Sequence, residues 1–278
     1  MPFVENLGAR IYWDEEGNGA PLLLIMGLGW PLQAWQRLRP ALSQKYRTIA
    51  LDNRGVGKSE VPAGPYSMPQ MAADAAAVLN AARVNTAHVF GVSMGGMIAQ
   101  EFALQYPNKV RSLILGCTAA GGPEAVRAEV EALRVLMTRG QDADQFARAI
   151  NPFIYDAATS PQLVEEDTAA RRKWYASGDG YFAQLQAVIG WEAYSRLGQI
   201  AAPTLVIHGE NDRLVSVENG KRIAARIPGA KLVLIPGASH IFPTDQPVAT
   251  QTAILEFLGG QATRKRERPV PVPPGTVV

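Results

Sequence analysis

Gly91-Val92-Ser93-Met94-Gly95-Gly96 is the stretch on which the reading of this 278-residue chain turns. It follows an apolar run at 88–92. It leads into a stretch ending at 105 whose Met97, Ile98, Phe102 and Leu104 supply the apolar side of a helix. A G-x-S-x-G pentapeptide between a strand and a helix makes a sharp turn that lifts its serine above the C-terminal edge of a sheet. Ser93 must then adopt a strained backbone, and Gly91 and Gly95 leave room for strand and helix to approach. The hydroxyl also stands at a helix N-terminus, where free N–H groups and the dipole favour an anionic intermediate.

Outward from this turn the same alternation repeats. Short apolar runs at 9–14, 21–26, 46–52, 88–92, 111–117, 204–208 and 231–235 read as strands separated by amphipathic stretches. That order predicts an α/β fold, a mostly parallel central sheet flanked by helices. The clearest helix spans 67–82, with Met71, Ala75, Val78 and Leu79 at helical spacing and Ser67 as N-cap. From about 121 to 199 only helical signals remain, at 123–138, 142–150, 162–176 and 180–195, with many aromatic residues. A helical block between two strands predicts a cap at 121–197 inserted into a core of 1–120 and 198–260. Residues 261–278 run through Arg264-Lys265-Arg266-Glu267-Arg268 into Pro-Val-Pro-Val-Pro-Pro-Gly, which predicts an extended basic, proline-rich tail.

Composition excludes several function classes. Lys plus Arg number 27 against 25 Asp plus Glu, a net charge of +2, which gives no case for nucleic-acid or acidic-membrane binding. Apolar residues are 47% of the chain, ample for a core, yet no apolar run approaches the roughly 18–20 residues of a membrane span. The opening Met-Pro-Phe-Val-Glu-Asn has neither a basic nor an apolar leader pattern, so a cytoplasmic location is expected. One cysteine, Cys117, rules out an intramolecular disulfide and a cysteine-based zinc site; it reads as a small core residue within a strand.

A serine needs a base, and only His88, His208 and His240 are available. His240 follows the strand at 231–235, at the same sheet edge as Ser93 in a parallel sheet. His88 opens the strand that ends at Ser93 and so lies at the opposite edge, roughly 15 Å away. His208 directly precedes a turn and reads as structural. The base needs an acid, and Asp212, in the loop after 204–208, fits; Glu210 is the alternative. Asp156, Glu165 and Glu166 read as solvated loop carboxylates. The oxyanion donors would be the backbone N–H groups of Met94, which follows the nucleophile, and Leu28, flanked by Gly27 and Gly29. Gly57-Lys58-Ser59 lacks the earlier glycine of a phosphate loop, and Gly27-Leu28-Gly29 lacks the third glycine of a dinucleotide fingerprint.

Taken together, the Gly27–Gly29 loop, Asp52-Asn53-Arg54-Gly55-Val56-Gly57-Lys58-Ser59, the Gly91–Gly96 turn, the Asp212 loop and His240 resemble the α/β-hydrolase superfamily, in its small capped branch. The resemblance covers residues 1 to about 260. Many relatives have His-Gly where this chain has Met26-Gly27, which leans toward the methylesterase-like and enol-lactonase-like members. It assigns Arg54 a structural, buried role. It implies a serine hydrolase cleaving carboxylic esters or lactones on the triad Ser93, His240 and Asp212. A cofactor-free haloperoxidase or perhydrolase, or a C–C bond hydrolase of aromatic degradation, is the alternative. No cofactor or metal is expected. The expected partner is a small-molecule ester or lactone, with no nucleic acid or membrane; self-association into a homo-oligomer stays open. Trp30, Trp174, Phe182, Trp191 and Ile241 are the expected substrate-pocket residues.

Overall fold

The computed structural model describes residues 2–138 and 142–264. In chain order the elements are β1 (Phe3–Asn6), β2 (Ala9–Glu16), β3 (Ala20–Ile25), α1 (Arg39–Ser43), β4 (Tyr46–Leu51), α2 (Met68–Ala81), β5 (Ala87–Val92), α3 (Met94–Gln105) and β6 (Val110–Gly116). Four helices follow: α4 (Val130–Met137), α5 (Ala143–Ile154), α6 (Pro161–Arg172) and α7 (Gly178–Ile189). The chain then closes with β7 (Thr204–Gly209), α8 (Val217–Arg226), β8 (Lys231–Ile235), α9 (Phe242–Asp245) and α10 (Pro247–Arg264).

The strands form one sheet in the order β1-β2-β4-β3-β5-β6-β7-β8. The pairings from β4 to β8 are parallel, and β1 and β2 add an antiparallel edge. Both faces are buried, so the strands alternate between two cores. Leu23, Ile25, Val89 and Leu113 pack under α2 and α3. Leu22, Leu24, Phe90 and Ile114 face Trp35, Leu42, Ile254 and Leu258 on the other side. The parallel register brings the C-terminal ends of β3, β5, β6, β7 and β8 to one edge, where a ligand crevice forms in open α/β sheets. A third apolar cluster joins the inserted helices to that edge, with Phe146, Ile150, Ile154, Tyr181 and Leu185 around Val56.

Several expectations need correction. β1 is absent from the sequence reading; it is a short hairpin partner of β2, turned at Leu7 and Gly8, both in the left-handed region. The helix expected over 123–138 begins only at Val130. Ahead of it, Val126 exchanges two hydrogen bonds of 2.8 Å with the Asn219 side chain, and those tertiary bonds hold the chain out of helix. The helix expected to run to 195 ends at Ile189, because Glu192 pairs back on Gly121 as an isolated bridge. The tail was expected from 261, but α10 continues to Arg264; the remaining tail residues lie outside the described ones. No helix among the described residues is long and apolar enough to cross a membrane.

Candidate active site

Ser93 joins β5 to α3 with φ 58° and ψ −124°. Such a backbone costs about 1–3 kcal/mol and persists only where its surroundings enforce it. The enforcement is visible here. Ser93 N–H donates to Gly116 O at 2.9 Å, and Thr118 Oγ1 donates to Ser93 O at 2.7 Å. A Cβ on Gly91 would lie 2.1 Å from Gly95 O, and one on Gly95 would lie 2.1 Å from Ile25 O. Only glycine fits either position, which is the physical content of the motif.

Two loops at the same sheet edge carry the other groups. Asp212, in the turn after β7, accepts from Leu214 N at 2.9 Å and Val215 N at 2.8 Å through Oδ1. Its Oδ2 lies 2.7 Å from His240 Nδ1, in the loop after β8. Both residues are buried. Burial pushes the Asp212 carboxyl up, but the charge of His240 and the hydrogen bonds from both neighbouring imidazoles outweigh it and hold the group below the ordinary carboxylate range. Because Nδ1 donates to the carboxylate, Nε2 is left as the basic nitrogen. Glu210 is exposed. His88 is bonded to Ser112 Oγ at 2.7 Å among residues that open their strands. His208, read from sequence as structural, lies 3.2 Å from Asp212 Oδ2; it stands at the end of a strand and Asp212 sits in the turn beyond, so their spacing carries no sign of the contact.

Cys117 lies just past β6 rather than within it, at φ 42°, fully buried against Asp212 and His240. Burial and the neighbouring carboxylate push its thiol up, so it stands beside Asp212 as a neutral thiol. Glu165 and Glu166, expected in a loop, lie on α6 and pair with Arg172 and Arg37. Asp156 accepts from Asn211 Nδ2 at 2.7 Å.

The inserted helices do more than cover the edge. Ile154 O, at the end of α5, accepts from Ile241 N at 2.8 Å, and Thr244 Oγ1 donates to Asp167 on α6 at 2.6 Å. Both bonds flank His240, so α5 and α6 fix the loop that holds it. The Gly27–Gly29 loop is shaped the same way. Gly29 N–H donates to Gln184 Oε1 at 2.8 Å, and Gln184 Nε2 donates to Arg54 O at 2.7 Å. Gln184, fully buried on α7, is a site residue the sequence reading missed. Just ahead of the loop, Met26 O accepts from Asn53 Nδ2 at 2.9 Å. A Cβ on Gly27 would lie 3.0 Å from Ser93 Cβ, so this loop stands against the serine. Among the described residues, the N–H groups of Leu28 and Met94 are not spent on other hydrogen bonds.

Ser93 and His240 line a cavity of about 220 Å³ together with Leu28, Met94, Trp30 and Ile241. Its far wall is Leu133, Leu136, Phe146, Ile150, Tyr181, Leu185 and Val188 from the inserted helices. Three expected pocket residues are elsewhere. Phe182 is exposed, one step around α7 from Tyr181. Trp191 is buried away from the cavity, with Nε1 donating to Glu101 Oε2 at 2.8 Å. Trp174 packs beneath Lys58 and Lys173. Arg37 is the charged side chain among the described lining residues, and Glu166 and Asp167 balance it at 2.8 and 2.7 Å.

A family profile described as the alpha/beta hydrolase fold matches residues 20–247. A poly(3-hydroxyalkanoate) depolymerase of Ectopseudomonas oleovorans is 32% identical over 92% of this chain and 90% of its own. The 3-oxoadipate enol-lactonase 2 of Acinetobacter baylyi is 30% identical over 84% of this chain and 86% of its own. Among solved structures, the enol-lactonase from Burkholderia xenovorans LB400 superposes with a TM-score of 0.82 at 26% identity, over 93% of this chain and all of that one.

Proposed function

Because this chain belongs to the alpha/beta hydrolase fold family, we propose that it hydrolyses uncharged carboxylic esters or lactones through an acyl-enzyme on Ser93. The observation that carries this reading is the 2.7 Å pairing of His240 with buried Asp212, on a cavity whose wall also holds Ser93. Ser93 Oγ attacks the carbonyl carbon while His240 Nε2 takes its proton, and Asp212 stabilises the resulting imidazolium. The carbonyl oxygen becomes an oxyanion held by the Leu28 and Met94 N–H groups. Collapse breaks the ester C–O bond, and His240 returns the proton to the departing alkoxide. Water then attacks the acyl carbonyl as His240 takes its proton; collapse breaks the bond to Ser93 Oγ, which recovers that proton from His240 as the carboxylic acid leaves. The names of the two enol-lactonases and the polyester depolymerase denote cleavage at an ester carbonyl, which supports the same chemistry here. The apolar lining and the balanced charge of Arg37 support an uncharged substrate.

The test is a panel of p-nitrophenyl butanoate and hexanoate, a neutral lactone, and an anionic p-nitrophenyl ester of matched length. Neutral substrates should exceed the anionic one at least about tenfold in kcat/KM, since a buried unpaired carboxylate is costly. Ser93→Ala should lose about 10⁴–10⁶ in kcat. More than a few per cent residual activity in Ser93→Ala would overturn the mechanism, and equal rates on the anionic ester would overturn the substrate class.

A further inference from the structure

We propose that His208 is a positioning residue for the catalytic acid and base, acting through Asp212. The inference rests on the triad reading above. His208 is fully buried at the end of β7. Its Nε2 donates to Val215 O at 2.8 Å and lies 3.2 Å from Asp212 Oδ2. Both neighbours are acceptors, so Nε2 carries the proton. The opposite nitrogen, Nδ1, is buried without a partner against Gly220 of α8, where a Cβ would lie 2.6 Å away.

The N–H satisfies Val215 O and also stands against Oδ2, while leaving Nδ1 unpaired carries a cost. The return lies on the Nε2 side. Oδ1 of Asp212 is held by two backbone N–H groups, and Oδ2 stands between two imidazoles. His208 therefore does two things. It blocks rotation of the carboxylate away from His240. Its N–H also draws on the charge of Oδ2, which makes Asp212 a weaker acceptor and moderates how strongly it favours the imidazolium of His240. Among the described residues, Cys117, just past β6, also stands against Asp212 and remains a neutral thiol. Gly220 completes the arrangement, since any side chain there would push the ring.

The test compares His208→Leu, His208→Gln and Gly220→Ala, reading kcat, KM, the pH profile of kcat/KM and Tm on p-nitrophenyl butanoate. His208→Leu should lower kcat about tenfold with little change in KM. Its acid limb should move to higher pH by about half a unit, because Asp212 becomes the stronger acceptor. His208→Gln keeps an N–H at the Nε2 position and should recover most of both effects. Gly220→Ala keeps the imidazole but displaces it, and should shift the limb in the same direction by less. An acid limb in His208→Leu that coincides with wild type, with the loss confined to Tm, would overturn the role. If His208→Leu does not fold, an unshifted limb in Gly220→Ala decides the same way. Ser93→Ala separates this failure from a wider one. If it stays active, the triad reading falls; if it is inactive and the limbs are unshifted, only the role of His208 falls.

Discussion

At the scale of single residues, two carboxylates at this sheet edge have opposite fates. Asp212 stands between His240 and His208, whose charge and hydrogen bonds outweigh its burial and hold it ionised. Asp52 is equally buried, but its partners are the neutral Leu32 and Lys58 N–H groups at 2.7 and 2.8 Å. Burial dominates there and pushes its pKa up to about 6. The folded state then binds a proton that the unfolded chain releases at a lower pH, so ν_U − ν_N is negative between about 4 and 6. Stability should fall as pH rises through that window, by up to about 3 kcal/mol from this group. Asp74 and Asp245 are also raised by burial and add slopes of the same sign. The readout is therefore the difference between wild type and Asp52→Asn in urea midpoint from pH 4 to 7. Asn offers one acceptor oxygen where Asp52 uses two, so the variant should start from a lower midpoint at pH 4; its slope should be flatter, and the gap to wild type should narrow towards pH 7. Identical slopes would show that Asp52 ionises normally. In the same region of the molecule, Asp212→Asn should cut kcat by about 10⁴ while Glu210→Gln, exposed, changes it little. A reversed order would reassign the acid.

At the scale of elements, α7 has two jobs along one face. Tyr181, Leu185 and Val188 point into the cavity, while Gln184, at helical spacing with them, clamps the Gly27–Gly29 loop to the loop after β4. Gln184→Ala should therefore lower kcat about 10–100-fold with a smaller change in KM, because Gly29 loses its anchor and Leu28 drifts from the oxyanion position. Loss in KM alone would show that the clamp shapes binding instead. Leu185→Phe, which fills the cavity, should reduce kcat/KM on hexanoate far more than on butanoate. Phe182→Ala, on the exposed face, should leave that ratio unchanged. This contrast was not legible in the sequence, where Phe182 and Leu185 are both apolar residues of one helix.

At the scale of the whole molecule, a buried ion pair ties the loop after β4 to α2 and to the β1–β2 hairpin. Arg54 Nε and Nη2 both lie 2.7 Å from Asp74 on α2, and Asn6 of the β1–β2 hairpin donates to the same carboxylate at 2.8 Å. Arg54 and Asp74 are both fully buried. Asp74→Ala strands a guanidinium in the interior and should destabilise the protein by about 3–5 kcal/mol. Glu166→Ala, at a half-exposed pair with Arg37, should cost no more than about 1 kcal/mol. Urea unfolding of the two variants measures both, and comparable losses would show that the Arg54 pair is not the stronger tie.

The sequence by itself determined the frame: seven of the eight strands, the turn at Ser93, the chain order of Ser93, Asp212 and His240, and the loop carrying Leu28. These are local facts. A strand's alternation, a glycine that no Cβ can replace and a loop directly following a strand are each written within a few residues, and a parallel sheet then sends every strand's C-terminal end to one edge. The tertiary structure decided the rest. It chose which face of α7 meets the cavity, held residues ahead of α4 out of helix through Asn219, drew Trp191 away to Glu101, and placed His208 against Asp212. Each of these depends on partners between about 90 and 160 residues away in the chain or on the packing of a ring between two elements. An apolar pattern says that a side chain will be buried. It does not say against what, because burial is non-directional and the partner is fixed only when the elements pack.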